Sequence, residues 1–429
     1  MKPSRFLPSD KQVRRRWHVP PALIHGSEAL EGGGVLQEFS SGTGLLLWQA
    51  LRDVTLWAHT PVTERKGLFS ADAERRRVAE MLSVGPEPAL EEPLGVITTM
   101  VGRPDRVHAE HVALACRQVG QWAEARGNLA TALSFFQAGA LACPGDACSA
   151  FKVGQIARKR AENARAESWF RRTIALARQA GDWSSYALAF SGLGTLYLQR
   201  GNLPAAHRFQ IRCFRAAKRH NLREIAGGAL HDLHVIATVS GQGTAAQYYA
   251  REAFEQYGPN HPRLSNLAHD TAYFWLTQGC FGPALAVFQA LLPAVSHAAE
   301  RLTTLSNICR AAGGAGDRAS FSSAWDEVWS NADEQSAEAH AEAFLELAHG
   351  ALSLGEWDRA ELAANRALTT ARLRGEARVD ITAESVIESI RHDRLSVEVP
   401  ASREAATSTE AHALAEDLVR CLSLNSTAP

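Results

Sequence analysis

Two pairs of histidines have a spacing that could bind a metal ion. His108 and His111 lie in the segment HAEH, and His231 and His234 lie in HDLH. Residues three positions apart lie on one face of a helix, where two imidazoles can share a zinc ion. Neither pair has a third ligand at a recognisable spacing, and His234 also falls at a packing position of the repeat described below. We therefore expect structural or surface histidines and no metal site.

The other residue types that carry chemistry form no catalytic pattern. The seven cysteines are unevenly spaced, and only Cys143 and Cys148 lie close together, which makes no paired zinc motif. The sequence contains no nucleophile elbow and no zinc-protease histidine pattern. The three consecutive glycines at 32–34 are not followed by the Lys-Ser/Thr of a phosphate-binding loop. We therefore predict a protein that is not an enzyme and needs no cofactor. The odd number of cysteines favours a reducing, cytoplasmic location.

A row of arginines follows one predicted helix. Its members fall within about 60° on a helical wheel of 3.6 residues per turn; they are Arg208, Arg212, Arg215 and Arg219. Such a row could contact phosphates or an acidic partner, although a basic row more often forms an ordinary solvated face. The formal net charge of −1 argues against a dominant field for nucleic acid or membranes. No uninterrupted apolar run reaches the length of a membrane span, so none is expected.

These residues lie within a repeated pattern of two helices joined by a short turn. Small residues mark the turns at intervals of 34 to 40 residues, at Gly127, Ala161, Gly201, Gly241, Gly279, Gly316 and Gly355. Seven residues before the turns stand Gly120, Gly154, Gly194, His234, Ala272, Cys309 and Ala348. Five residues after the turns stand Ala132, Ala166, Ala206, Ala246, Ala284, Phe321 and Ala360. Glycine at the turn supplies a left-handed backbone, and small residues before it let two helices approach closely.

The segment ALAFSGLGTLYLQRGNLPAAHRFQIRCF resembles the tetratricopeptide repeat family. Leu193 and Gly194 match the family's Leu-Gly pair, and Tyr197 matches its first-helix aromatic residue. Gly201 matches the turn, and Ala206 the contact in the second helix. The resemblance implies an all-α fold, a right-handed superhelical solenoid of about seven antiparallel helix pairs with non-repeat helical caps.

The repeat array is predicted over residues 107–375, and the chain on either side does not follow its pattern. Residues 1–42 predict an irregular or disordered arm, and residues 43–101 predict a helical cap or a separate interaction module. Residues 376–424 predict capping helices, and residues 425–429 a disordered tail. The last helix places on one face Leu414, Leu418, Cys421 and Leu422. It either caps the array in cis or fills a groove, its own or a partner's.

The resemblance also implies a binding groove, because ligand-contacting positions of the family lie on the first helix of each pair. Transferred to this sequence, those positions are Phe151, Gln155, His231, Val235, His269, Tyr273, Arg310 and His349. The Lys, Arg and Asn set that clamps a carboxylate in chaperone-binding members is absent, which excludes that class of partner. A groove of mixed apolar, aromatic and histidine character suits an extended peptide or a helix, and an ordinary solvated helix face is the alternative.

We therefore predict a non-catalytic, cytoplasmic scaffold that binds a protein or peptide on the concave face of its solenoid, which the first helices form. The alternative hypothesis is a regulatory module that senses a ligand or peptide in a bacterial signalling or transcriptional pathway. Neither a membrane nor a nucleic acid is predicted as the partner.

Overall fold

A computed structural model describes residues 33–39, 41–331, 340–393 and 409–426. All the regular structure within these residues is helical, with 20 α-helices and two short 3-10 helices. The chain divides into two compact units, Met1–Ile225 and Ala226–Pro429, which are described separately below.

The first unit contains four helices and then three helix pairs. The four are α1 (Gly33–Glu38), α2 (Ser41–His59), α3 (Ala73–Val84) and α4 (Pro88–Gly102), with a 3-10 helix at Val62–Glu64. The first pair is α5 (Ala109–Ala125) with α6 (Leu129–Ala142), and the second is α7 (Ala147–Lys159) with α8 (Asn163–Ala180). The third is α9 (Trp183–Gln199) with α10 (Leu203–Arg219). The arm predicted as irregular over 1–42 therefore contains helix in its described part, and residues 1–32 lie outside the described residues.

The second unit holds the remaining pairs and two further helices. The fourth pair is α11 (Arg223–Val239), which starts just before the boundary, with α12 (Gly243–Tyr257). The fifth is α13 (Leu264–Thr277) with α14 (Phe281–Leu291), which runs into a 3-10 helix at Leu292–Ala294. The sixth is α15 (Ala298–Ala315) with α16 (Arg318–Asn331), and the seventh is α17 (His340–Ser353) with α18 (Trp357–Arg374). The last two helices are α19 (Ala377–Asp393) and α20 (Thr409–Ser426).

The turn residues predicted from the sequence are confirmed. All seven have a left-handed backbone, with φ between 59° at Ala161 and 78° at Gly127. Glycine adopts this conformation without strain, whereas the Cβ of any other L-residue lies too close to the following carbonyl oxygen. Ala161 is the one turn residue of the seven that has a Cβ, so this turn is strained.

The two small-residue columns are also confirmed, because the side chains or backbones at all fourteen positions are buried. A Cβ added at Gly120 would lie 2.7 Å from the ring of Phe136, and one at Gly154 would lie 2.8 Å from the ring of Phe170. Contacts this short do not occur between relaxed atoms. The helices of these pairs can therefore pack at this distance only with glycine on the first helix.

Two pairs have a larger residue in the first column and form a hydrogen bond there. His234 Nδ1 donates to the carbonyl oxygen of Ala246 at 2.9 Å, and Cys309 Sγ donates to that of Phe321 at 3.7 Å. Both acceptors occupy the second-helix column, so a polar contact links the two columns. Burial lowers the pKa of His234, which keeps the ring neutral. This histidine is a structural residue of the fourth pair.

The N-terminal helices cover the first pair. Helix α2 packs against α6, and α4 packs against α5. The carboxylate of Glu38 accepts hydrogen bonds from the backbone amides of Ala130 and Thr131 at 2.9 and 2.8 Å. These amides lie in the first turn of α6, where unpaired N–H groups and the helix dipole favour a negative charge. Trp57 Nε1 donates to the carbonyl of Pro104 at 2.7 Å, which joins α2 to the loop after α4.

The C-terminal helix α20 packs on its own chain. It packs against α13 and α14, while α19 packs against α17 and α18. Arg251 Nη1 on α12 lies 2.7 Å from Asp417 Oδ2 on α20. The buried face of α20 consists of Ala411, Leu414, Ala415, Leu418 and Leu422. Helix α20 therefore docks on its own chain at the fourth and fifth pairs, and its role as a cap or as the occupant of a groove stays a prediction.

Candidate functional site

A cavity of about 800 Å³ opens on the first helices of the fifth, sixth and seventh pairs. Its wall is formed by α13, α15 and α17 and by the start of α19. On α13, α15 and α17 the lining residues recur after three or four positions, which places them on one face of each helix, and the start of α19 contributes four consecutive residues. They are His269, Asp270, Tyr273, Thr303, Ser306, Asn307, Glu342, Ala343, Glu346, Glu376, Ala377, Arg378 and Val379.

Two histidines hold a carboxylate at one side of the cavity. His231 Nε2 on α11 donates to Asp270 Oδ2 at 2.9 Å, and His269 Nδ1 lies 3.5 Å from Asp270 Oδ1. Burial alone would raise the pKa of Asp270, but the hydrogen bonds and charges of the two histidines outweigh it, so this pKa lies well below its usual range. Asp270 is therefore a carboxylate at neutral pH and presents an acceptor to the cavity.

Two ion pairs connect the helices on the other side of the cavity. Arg310 Nη1 on α15 lies 2.6 Å from Glu346 Oε2 on α17, and Arg378 Nη2 on α19 lies 2.7 Å from Glu342 Oε1. Glu346 is 6% exposed. Burial raises its pKa, although the charge of Arg310 and its hydrogen bond act to lower it. Burial also raises the pKa of Tyr273, and the charges of Glu346 and Glu342 add to this effect. The phenol of Tyr273 therefore stays protonated.

Asn307 supplies a hydrogen-bond donor that has no acceptor within the described part of the chain. The residue is 1% exposed, it belongs to the cavity wall, and its Nδ2 is unpaired. A buried polar group without a partner costs about 1–3 kcal/mol. Because Nδ2 itself is buried, the groups that the wall presents to a ligand are the carboxylate acceptors and the apolar surface of Tyr273, Ala343 and Val379. Such a wall can bind a group that has both polar and apolar parts.

The groove residues predicted in the second unit lie in or near this cavity, with one exception. His269 and Tyr273 line it, while His231 and Arg310 hold its carboxylates. His349 is half-buried on α17, and burial, with the nearby charge of Arg310, lowers its pKa to about 4. Val235 is half-buried on α11 and does not contribute to the wall.

The two groove residues predicted in the first unit make local contacts. The ring of Phe151 lies 5.9 Å from that of Phe170, and the side chain of Gln155 accepts from Lys152 Nζ at 3.0 Å. Both are half-buried on α7. A binding role for all eight predicted groove residues stays a prediction.

Sequence reasoning missed Asp270, Asn307 and the two carboxylates of α17. The available signal was helical spacing, because Glu342 and Glu346 lie seven and three residues before His349 on the same face. On α15 and α17 the cavity lies nearer the start of the helix than the family positions Arg310 and His349 indicate, whereas on α13 it coincides with His269 and Tyr273.

The predicted arginine row lies on α10 and is exposed at all four positions. Two arginines on α8, the second helix of the second pair, do not extend this row. Arg171 Nη2 lies 2.7 Å from Glu167 on its own helix, and Arg172 is buried and donates to the carbonyl of Pro144 at 3.1 Å.

The described residues contain no cluster of three or more His, Cys, Asp or Glu side chains that could hold a metal ion. None of their helices combines the length and the apolar character needed to cross a membrane.

The sequence matches no protein-family model and no curated protein. Solved structures with a similar fold include a tetratricopeptide repeat protein from Parabacteroides merdae, at 12% identity and a TM-score of 0.42, covering 63% of this chain and 98% of that one. A Rap protein complexed with competence and sporulation factor has 8% identity and a TM-score of 0.40, with 81% and 97% covered. BtubC (BKLC) from P. vanneervenii has 14% identity and a TM-score of 0.40, with 53% and 92% covered.

The chain is an all-α, tetratricopeptide-like helical repeat protein. Its own helix pairs, left-handed turns and buried small-residue columns establish this. Similarity at the level of these solved structures carries no argument about function.

Proposed function

We propose that this chain is a non-catalytic binding protein of the cytoplasm and that the cavity of its second unit takes an extended peptide segment. The mixed lining of the cavity carries the proposal, because carboxylate acceptors lie beside the apolar surface of Tyr273 and Val379. An extended peptide has free N–H groups, for which the carboxylates of Asp270 and Glu342 are acceptors.

The size and composition of the cavity support a peptide ligand. Its volume of about 800 Å³ falls within the usual range of about 300–1,000 Å³ for ligand sites. Tyr273 and Val379 provide apolar surface that can contact a ligand side chain. Most lining carboxylates already have a cationic or histidine partner, so a ligand need not be strongly charged.

A sensing role would use the same cavity. The pairs His231–Asp270, Arg310–Glu346 and Arg378–Glu342 each join two different helices. A ligand that competes for these groups would change the interactions between first helices. The distance between labels placed on α15 and α17 can be measured with and without ligand. A change in this distance on binding would favour a sensing role over a scaffold that only holds its ligand.

The test begins with selection of random peptides of about twelve residues on the purified full chain, followed by fluorescence anisotropy with the selected sequences. Asn307→Leu should weaken binding at least tenfold, about 1.4 kcal/mol, because it replaces a polar residue of the cavity wall with an apolar one. The same substitution should leave the free protein equally or more stable, since it removes a buried unpaired group. Tyr273→Ala should also weaken binding.

Tyr248→Ala is the matched control, because Tyr248 is a 57% exposed tyrosine on the second helix α12. Its affinity should stay within about twofold of the wild type. The proposal fails if the selected peptides bind the Asn307→Leu and Tyr273→Ala variants as tightly as they bind the wild type.

A further inference from the structure

Helix α10 of the first unit carries an exposed row of positive charges and no acidic residue. The row consists of Arg208, Arg212, Arg215, Lys218 and Arg219, all exposed. The opposite face of α10 is buried through Ala205, Ala206, Phe209, Cys213 and Ala217. The helix is therefore fixed by one face and presents the charges on the other.

None of these five cations has a carboxylate within 4.0 Å in the described part of the chain. Exposed arginines on the other second helices do have such partners: Arg171 with Glu167, Arg318 with Glu356 and Arg372 with Asp380, at 2.7, 2.8 and 3.1 Å. On α10 the guanidiniums of Arg208 and Arg212 lie instead 5.9 and 5.7 Å from the ring centroid of Phe209. An aromatic face orients these groups without neutralising them.

Like charges three or four residues apart repel each other and destabilise a helix. Lys218 and Arg219 gain some compensation from the negative end of the helix dipole, but Arg208 and Arg212 lie too far from it. The row thus lowers the stability of the free protein. A partner with matching negative charge would reverse this effect.

The geometry favours an acidic helix over a nucleic acid. The four arginines follow one another after four, three and four residues, which corresponds to a straight row about 16 Å long. A second helix with carboxylates at the same intervals presents the same rise per residue, and arginine pairs with carboxylates through two parallel hydrogen bonds. Single-stranded nucleic acids are usually bound with exposed aromatic rings, and the two aromatic residues of α10 are buried at Phe209 and half-buried at Phe214.

We propose that the basic row of α10 docks an acidic α-helix of a partner protein, with glutamates or aspartates spaced four, three and four residues apart. This surface lies in the first unit, on a second helix, and its test is independent of the cavity in the second unit.

The probe is a fluorescein-labelled, alanine-based helical peptide with glutamates at these intervals, titrated with the full chain at low and physiological salt. Arg212→Gln/Arg215→Gln should weaken binding at least tenfold. The control Arg318→Gln/Arg372→Gln removes two ion-paired arginines of similar exposure and should change affinity less than twofold. A peptide of equal composition with its glutamates distributed around the helix should bind at least tenfold more weakly.

Charge reversal gives a positive test. The variant Arg212→Glu/Arg215→Glu should bind a peptide in which lysines replace the glutamates, and the wild type should not. Circular dichroism checks that each variant keeps its helix content. The proposal is overturned if a single-stranded or duplex oligonucleotide binds more tightly than the peptide. It is also overturned if the rearranged peptide binds equally well, or if the control variant loses as much affinity as the test variant.

Discussion

Replacing Ala161 with glycine should stabilise the first unit. Ala161 occupies the turn of the second pair with φ of 59°, where six other turns have glycine. A left-handed backbone costs an L-residue about 1–2 kcal/mol. Glycine offsets about 0.5–1 kcal/mol of this gain, because it loses more conformational entropy on folding than alanine does. The methyl group of Ala161 is exposed, so its loss sacrifices little buried surface. The expected gain is about 0.5–1 kcal/mol.

The converse substitution is the matched control. Gly201 forms the next turn with φ of 71°, and a Cβ added there would touch no atom within 4 Å. Gly201→Ala therefore introduces backbone strain without a steric clash, and it should destabilise by about 0.5–1 kcal/mol. The backbone hydrogen bond from Asn163 N to the carbonyl of Ala161, at 2.9 Å, is kept in the first variant.

Urea unfolding followed by circular dichroism measures both changes in the full chain. Because a repeat array need not unfold in one step, hydrogen exchange of the amides around each turn serves as the local readout. Exchange should slow near residue 161 in the first variant and accelerate near residue 201 in the second. Equal stability of both variants and the wild type, with unchanged exchange, would show that the left-handed turn at Ala161 carries no strain.

Three further predictions concern the second unit. Burial lowers the pKa of His349 from 6.5 to about 4, so the folded state binds fewer protons than the unfolded state between these values. The free energy of unfolding should therefore be highest above pH 6.5 and fall as the pH is lowered toward 4. In urea unfolding, His349→Gln should reduce that fall. Leu418→Asp should release α20 at a cost of about 2–4 kcal/mol and speed hydrogen exchange in α14, whereas Leu424→Asp, at a 64% exposed position of the same helix, should change neither. Gly313→Ala should lower stability by about 1–3 kcal/mol in thermal unfolding, because its Cβ would overlap the carbonyl oxygen of Gly350 on α17.

The fold was predictable because its determinants are local. A left-handed turn favours glycine, or another residue at the cost of strain, and close helix packing requires a small side chain. Both requirements therefore produce small residues at a fixed spacing in the sequence. The position of α20 was not predictable. The sequence showed its apolar face as Leu414, Leu418 and Leu422. The place where this helix docks depends on contacts such as Arg251 to Asp417, between residues far apart in sequence.

The candidate site was predictable in part for the same reason. Helical spacing identifies the face on which His269 and Tyr273 lie, and both line the cavity. Spacing does not determine which side chains meet across neighbouring helices. The pairing of Asp270 with His231 and that of Arg310 with Glu346 depend on the relative placement of two helices, for which the sequence carries no local signal.

Two features lower the stability of the free protein and belong to the surfaces for which binding is proposed. Asn307 leaves a buried donor unpaired, at about 1–3 kcal/mol, and the like-charge neighbours of the α10 row cost about 0.2–0.5 kcal/mol for each pair. Together these are a noticeable fraction of the roughly 5–15 kcal/mol by which a domain is usually stable. A leucine at 307 and glutamines in the row would remove these costs without disturbing the packing columns. Retention of such groups in an otherwise consistent repeat is expected where they bind something, which is why both proposals predict variants that lose binding and keep or gain stability.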